Sequence, residues 1–148
     1  YSRIMSLKDG SKKMSKSELS DLSRINLVDD KDQIINKIKK AKTDPLAMPK
    51  NIKELEGRPE AQNLLGIYTS LSNASFESSL EKFAAKNFSE FKEQLSELLV
   101  DKLTPISQEI KRLISDQSYL DSILLDGVEK ANKIASKKIK NIKEIVGF

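Results

Sequence analysis

Phe88-Ser89-Glu90-Phe91-Lys92-Glu93-Gln94-Leu95-Ser96-Glu97-Leu98-Leu99-Val100-Asp101-Lys102-Leu103 decides the fold class. Phe88, Phe91, Leu95, Leu98, Leu99 and Leu103 recur at the helical period of about 3.6, and Ile106, Ile110, Leu113 and Ile114 continue the stripe. No strand keeps a period for so long. Asn87 followed by Glu90 has the form of a capping box, which places the helix start. Pro105 interrupts the stripe, and its ring opposes the carbonyl four residues back, so a kink or break is expected around residues 102–104.

Working outward, the same period appears on both sides. Downstream, a last helix is expected to begin around Ser118 and Asp121. Its core face is Leu120, Ile123, Leu124, Val128, Ala131, Ile134, Ala135, Ile139, Ile142, Ile145 and Val146. Gly127 inside that pattern costs helix stability, which points to the close approach of a neighbouring helix. Gly147 is a normal stop. Upstream, Pro59 suits a first helical position, and Ala61, Leu64, Leu65, Tyr68 and Leu71 predict a buried-face helix over 59–72. Ser75 is a candidate cap for a helix that turns Phe76, Leu80, Phe83 and Ala84 inward. The spacing of Tyr68, Phe76, Phe83, Phe88 and Phe91 marks them as core.

Residues 44–57, with Pro45, Pro49 and Gly57, read as a connector. Before them, Asp29, Asp30 and Asp32 sit where a helix N-terminus favours carboxylates, rather than as metal ligands. That helix turns Ile34, Ile35, Ile38 and Ala41 inward and Lys37, Lys39, Lys40 and Lys42 to water. It should end near Thr43, because Pro45 disfavours helical geometry at Asp44. Residues 3–7 are a candidate strand, and residues 8–20 a mobile Lys/Ser/Gly loop. The expected fold class is mainly α, a bundle of four to five helices preceded by a strand and a loop.

The composition narrows the chemistry. The 148 residues are 38% apolar, 32% charged and 5% aromatic, without Trp, which suits a helical protein with a real core. Cys is absent, so disulfides, thiolate metal sites and cysteine nucleophiles are excluded. His is absent too, which removes the commonest general base. Chemistry must rest on Lys, carboxylates, hydroxyls and backbone amides, and phosphate handling is the class that fits. Apolar runs are only a few residues long, so no membrane span is expected, and no signal peptide is visible.

The net charge of +4 is unevenly spread. Residues 1–17 hold five basic groups against Asp9, and residues 127–148 hold six Lys against two Glu. The middle is net acidic. Basic poles favour polyanion contact, although a solvated helix face accounts equally well for the tail.

Lys12-Lys13-Met14-Ser15-Lys16-Ser17 carries the chemistry. It sets ammonium groups among small hydroxyl residues in a segment with no regular period. Ammonium groups and free backbone N–H groups bind phosphate oxygens, and a flexible loop can close over a polyphosphate as negative charge gathers. On charge pattern alone, a solvated basic turn is the simpler reading.

The motif Lys13-Met14-Ser15-Lys16-Ser17 resembles the Lys-Met-Ser-Lys-Ser signature of class I aminoacyl-tRNA synthetases. Its surroundings carry the resemblance further. Arg3-Ile4-Met5-Ser6-Leu7, Ser23-Arg24-Ile25-Asn26-Leu27, Lys42-Thr43-Asp44, Asn63-Leu64-Leu65-Gly66-Ile67-Tyr68 and the ending from Asp126 to Phe148 look like the bacterial-type tryptophanyl-tRNA synthetase family. The resemblance runs end to end.

That resemblance implies activation of tryptophan with ATP and Mg2+, then transfer to tRNA(Trp). It implies that Lys13 and Lys16 are catalytic and stabilise the pyrophosphate leaving group. Ser15 and Ser17 would contact phosphate, and Met14 and Ile4 the adenine side of ATP. Residues 1–28 would be the end of a Rossmann-like nucleotide fold, 29–57 a helix and connector, and 58–148 a helical domain on the anticodon side of the tRNA. A cytoplasmic homodimer is implied for the whole enzyme, with no metal ligands in this chain.

The family's His-containing ATP motif and its tryptophan pocket lie upstream of these residues. A fragment that is inactive alone is therefore expected. Glu18-Leu19 stands where the family commonly has Asp-Pro. The alternative is a non-catalytic helical RNA-binding or interaction module. Against it stand only four Arg and no aromatic platform for stacking bases.

Overall fold

The computed structural model describes residues 3–147 and divides into two compact units, Tyr1–Gln108 and Glu109–Phe148. Five helices account for most of it: α1 (Lys31–Lys39), α2 (Pro59–Ser72), α3 (Phe76–Phe83), α4 (Phe88–Ser115) and α5 (Gln117–Val146). Short 3-10 turns lie at Asp21–Ser23 and Ile52–Leu55.

The local signals act where the sequence puts them. Asp30 caps α1 by accepting the Gln33 N–H at 2.9 Å, and the Gln33 amide accepts the Asp30 N–H at 2.9 Å, which completes a capping box. Pro59 opens α2. Ser75 caps α3 by accepting the Ser78 N–H. Asn87 accepts the Glu90 N–H at 2.8 Å, but Glu90 pairs with Lys86 instead of reaching back, so only half of that capping box forms. Gly147 closes α5 in the left-handed region.

The core of the first unit gathers Ile34 and Ile38 of α1, Leu64, Leu65 and Tyr68 of α2, Leu80 and Phe83 of α3, and Phe91, Leu95 and Leu99 of α4. Its centre is aromatic. Phe83 meets both Tyr68 and Phe91 edge-on, with ring centroids 4.8 Å apart in each pair. That geometry sets a ring's positive edge on its neighbour's negative face.

Four expectations are corrected. Lys37 does not face water: it is 3% exposed and paired with Asp29. Helix α1 ends at Lys39, short of Thr43, because tertiary bonds take over its last carbonyls. The Lys92 ammonium donates to the Lys39 and Ala41 carbonyls, at 3.2 and 2.6 Å, and the Lys42 N–H donates to Leu7. Helix α4 runs unbroken through Pro105, which removes one donor from a 28-residue helix without ending it. The stripe along α4 is buried at Phe91, Leu95 and Leu99, but Ile106 and Ile114 are exposed.

In the second unit, α5 begins at Gln117, capped by Asp116, one residue before the expected start. None of its residues is buried, so its apolar face is present but uncovered. No neighbour approaches within 4 Å of the place where a Cβ on Gly127 would sit, which removes the packing reason expected for that glycine.

The extended run before the loop forms no ladder among the described residues. It makes one antiparallel bridge, Met5 with Lys13. On its other side a side chain does a strand's work. The Met5 N–H donates to Asn63 Oδ1 at 2.8 Å, and Asn63 Nδ2 donates to the Met5 carbonyl at 2.9 Å. Asn63 lies on α2 and is 1% exposed. Replacing it with Leu leaves two backbone groups unpaired, and the expected cost is about 2–4 kcal/mol of unfolding free energy. Urea denaturation checks this, and a loss near zero would mean that water takes over both bonds.

Candidate functional site

The loop is a closed turn set on the first unit. Ser6 N–H donates to Lys12 at 2.8 Å and Met14 N–H to Ile4 at 3.1 Å, so residues 4–6 and 12–14 run side by side. Asp9 shapes the tip by accepting the Ser11 N–H at 3.0 Å. Gly10 is there for space: a Cβ would come to 2.6 Å from the backbone of both Pro59 and Glu60. The tip thus lies on the N-terminus of α2.

Glu60 secures that contact. Its carboxylate is 2.9 Å from Lys42 Nζ. The Lys42 bond lowers its pKa against the cost of burial, and the N–H groups of Glu60 and Gly10 add to the lowering. The result is a carboxyl held below its ordinary 4.5.

Beyond the tip, Met14 packs against the core while Lys13, Ser15, Lys16 and Ser17 are exposed. Ser15 Oγ is 2.8 Å from Ser17 Oγ and accepts the Ser17 N–H at 3.3 Å, which curls the chain between them. Among the described residues, neither Lys13 nor Lys16 has a carboxylate within ion-pair distance, whereas Lys12 is 3.5 Å from Asp9.

These residues line an open groove of about 760 Å³. Two stretches line it: Arg3, Ile4 and Lys13 to Lys16 from the turn and loop, and Arg24 to Val28 from the segment that follows. Five of the six expected site residues meet there; Ser17 is bonded to Ser15 at its edge. The lining carries cations, the Ser15 hydroxyl, the Asn26 amide and apolar surface, and no carboxylate. It is suited to a ligand with anionic and flat apolar parts. No group of three or more His, Cys, Asp or Glu able to hold a metal ion occurs among the described residues.

Sequence reasoning missed the supports. Glu60 and Asn63 hold the turn from α2, Gly10 lets its tip meet that helix, and Arg24 and Asn26 line the groove. One signal was available for Asn63. Most of the segment 61–68 is apolar, so a polar side chain turned inward there, as Asn63 is and the exposed Gln62 is not, must find partners in the interior.

The family model for class I tRNA synthetases (W and Y) matches residues 1–104, and the chain belongs to that family.

Within it, the relatives are bacterial tryptophan–tRNA ligases. The chain is 51% identical over 146 residues to the tryptophan–tRNA ligase of Brucella melitensis and 53% identical to that of Agrobacterium fabrum. Each match covers 99% of this chain and 41% of the relative. The tryptophanyl-tRNA synthetase of Campylobacter jejuni, solved with ADP and tryptophan, superposes with a TM-score of 0.78 at 25% identity, over 99% of this chain and 44% of that one. This chain therefore spans about two fifths of the length of the curated relatives it matches.

The Glu60 anchor gives a pH test. Because its folded pKa is depressed, its contribution is complete above 4.5 and is lost as the pH falls through the lower value it has in the fold. Glu60→Gln should lower the melting temperature at neutral pH, and the gap to the native chain should close below pH 4.5. A gap independent of pH would mean that shape, not charge, matters at this position.

Proposed function

We propose that this chain is the part of a bacterial tryptophan–tRNA ligase that carries the mobile ATP-handling loop and the tRNA-side helices. One observation carries the reading: Lys13 and Lys16, with no carboxylate within ion-pair distance among the described residues, line a groove together with the apolar Ile4 and Met14.

In the reaction, an oxygen of the tryptophan carboxylate attacks the α-phosphorus of ATP. The bond from that phosphorus to the bridging oxygen breaks, and pyrophosphate leaves with the electron pair. Negative charge grows on the leaving group as that bond lengthens. Lys13 and Lys16 are catalytic here because they meet that charge, with Lys16 the principal contact. The Ser15 and Ser17 hydroxyls, with nearby backbone N–H groups, hold phosphate oxygens, while Ile4 and Met14 lie against adenine.

Mg2+ neutralises phosphate charge in this chemistry. The groove lining has no carboxylate, so none of its residues is assigned as a ligand to the ion, which enters with ATP. Transfer of tryptophan to the 3′ end of tRNA(Trp) follows, with residues 58–148 on the anticodon side. Residues 1–28 form the end of the nucleotide fold, and 29–57 the helix and connector between the two. The whole enzyme works as a cytoplasmic homodimer. The tryptophan pocket lies outside these residues, so the 148-residue chain alone is inactive.

Tryptophan-dependent ATP–pyrophosphate exchange on the full-length ligase tests the reading. Lys16→Ala should lower kcat by about 10²–10³-fold with little change in the KM for ATP, the pattern of a contact made in the transition state. Unchanged exchange would reduce the loop to a solvated turn, and a native protein without exchange would favour a binding module.

A further inference from the structure

Behind the groove wall lies a chain of charged hydrogen bonds that the proposed reaction does not use. It starts in the interior. The Lys37 ammonium, 4% exposed, is 2.6 Å from Asp29 Oδ2, and the Asp29 side chain is equally buried. That single carboxylate is enough to neutralise it. Yet Lys37 also reaches Asp21 Oδ2 at 2.7 Å, and Asp21 is half-exposed. The other oxygen of Asp21 is 3.0 Å from Arg24 Nη2. Arg24 Nη1 then donates to the Glu18 carbonyl at 2.8 Å, directly after Ser17.

Asn26 braces the same chain. Its N–H donates to Asp29 at 2.8 Å, its Nδ2 donates to Asp21 at 3.0 Å, and its Oδ1 accepts from Arg24 Nε at 3.2 Å. The two residues of the groove wall that carry polar side chains, Arg24 and Asn26, are thus tied to one buried ammonium.

We propose that Lys37 and Asp21 are positioning residues: through Arg24 they set where the loop leaves the groove wall after Ser17, and so where Lys16 stands over the phosphates. The inference rests on the ligase reading. A hydrogen bond from a guanidinium to a backbone carbonyl fixes a loop end in both distance and direction. A misplacement of about 1 Å at a phosphate contact is enough to cost a large factor in rate. Neither residue touches substrate.

The test compares the native full-length ligase with Lys16→Ala, Asp21→Asn and Lys37→Met. Asp21→Asn removes the charge that links Arg24 to Lys37 but leaves the buried Lys37–Asp29 pair whole, so the fold is kept. Lys37→Met leaves Asp29 unpaired and puts the fold at risk, so it serves as the second variant. Exchange kinetics are read with the rate of tryptic cleavage after Lys13 and Lys16 in the absence of substrate.

Asp21→Asn should lower kcat about tenfold, leave the KM for tryptophan unchanged and speed cleavage of the loop by more than its small drop in melting temperature accounts for. If Lys16→Ala lowers kcat while Asp21→Asn does not, the network is only structural and the inference falls. A loss of kcat that comes with a lower melting temperature and unaltered cleavage also overturns it, since general destabilisation then suffices. If exchange ignores Lys16 as well, the ligase reading itself has failed and takes the inference with it.

Discussion

The side-chain amide of Asn63 is the constraint on which the loop and its groove depend. An extended backbone has a donor and an acceptor at each residue, and burying them unpaired is costly. Elsewhere a neighbouring strand would supply both bonds. Here one amide from α2 offers an acceptor and a donor at the right separation for Met5. With Met5 fixed, its bridge to Lys13 and the bond from Met14 to Ile4 follow, and the loop starts from a defined place on a rigid helix. Gly10 brings the tip of the turn onto the start of the same helix. The motif is exposed and irregular, but both ends of its first limb rest on α2.

The helices were legible because their signals are local. Pro59, Ser75, Asp30 and Gly147 each act on a backbone within a turn of themselves, and the apolar period needs only neighbours three or four residues away. The fate of Lys37 was not legible in the same way. Its helix pattern allowed a water-facing position, and what buries it is a pair of carboxylates 8 and 16 residues upstream. The end of α1 was settled by Lys92, more than 50 residues downstream. Helix α5 shows a further limit: a pattern reports that an apolar face exists, not that anything covers it. Pro105 shows the reverse, a strong local breaker absorbed by a long helix.

The site divides along the same line. Lys13 to Ser17 could be read at once because they are contiguous. Their supports are scattered, from Gly10 through Arg24 to Asn63, and each looks ordinary in its own segment. The resemblance quoted several of those segments, around Arg24, Asp44 and Asn63, without a physical role for any. The structure supplies one in each case. Arg24 grips the Glu18 carbonyl, Asn63 pairs with Met5, and Asp44 takes two bonds from Arg58 at 2.9 and 2.8 Å.

How the charges are partitioned bears on the proposed contact of the loop with a polyphosphate. Around the first unit, acids are committed to structural cations: Asp21 and Asp29 to Lys37, Asp44 to Arg58, Glu60 to Lys42, and Asp9 to Lys12. Those carboxylates are thereby engaged elsewhere, and among the described residues neither Lys13 nor Lys16 has a carboxylate within ion-pair distance. An ammonium already paired with a carboxylate would have to break that pair before meeting a phosphate. The cost would fall on the bound state, where the favourable interaction is needed. An unpaired ammonium on an exposed loop is solvated at little cost and gains most when a groove excludes water around it. The acidic middle of the chain and its basic N-terminus are therefore two parts of one arrangement, in which structural cations absorb the acids so that the motif's own charge stays available.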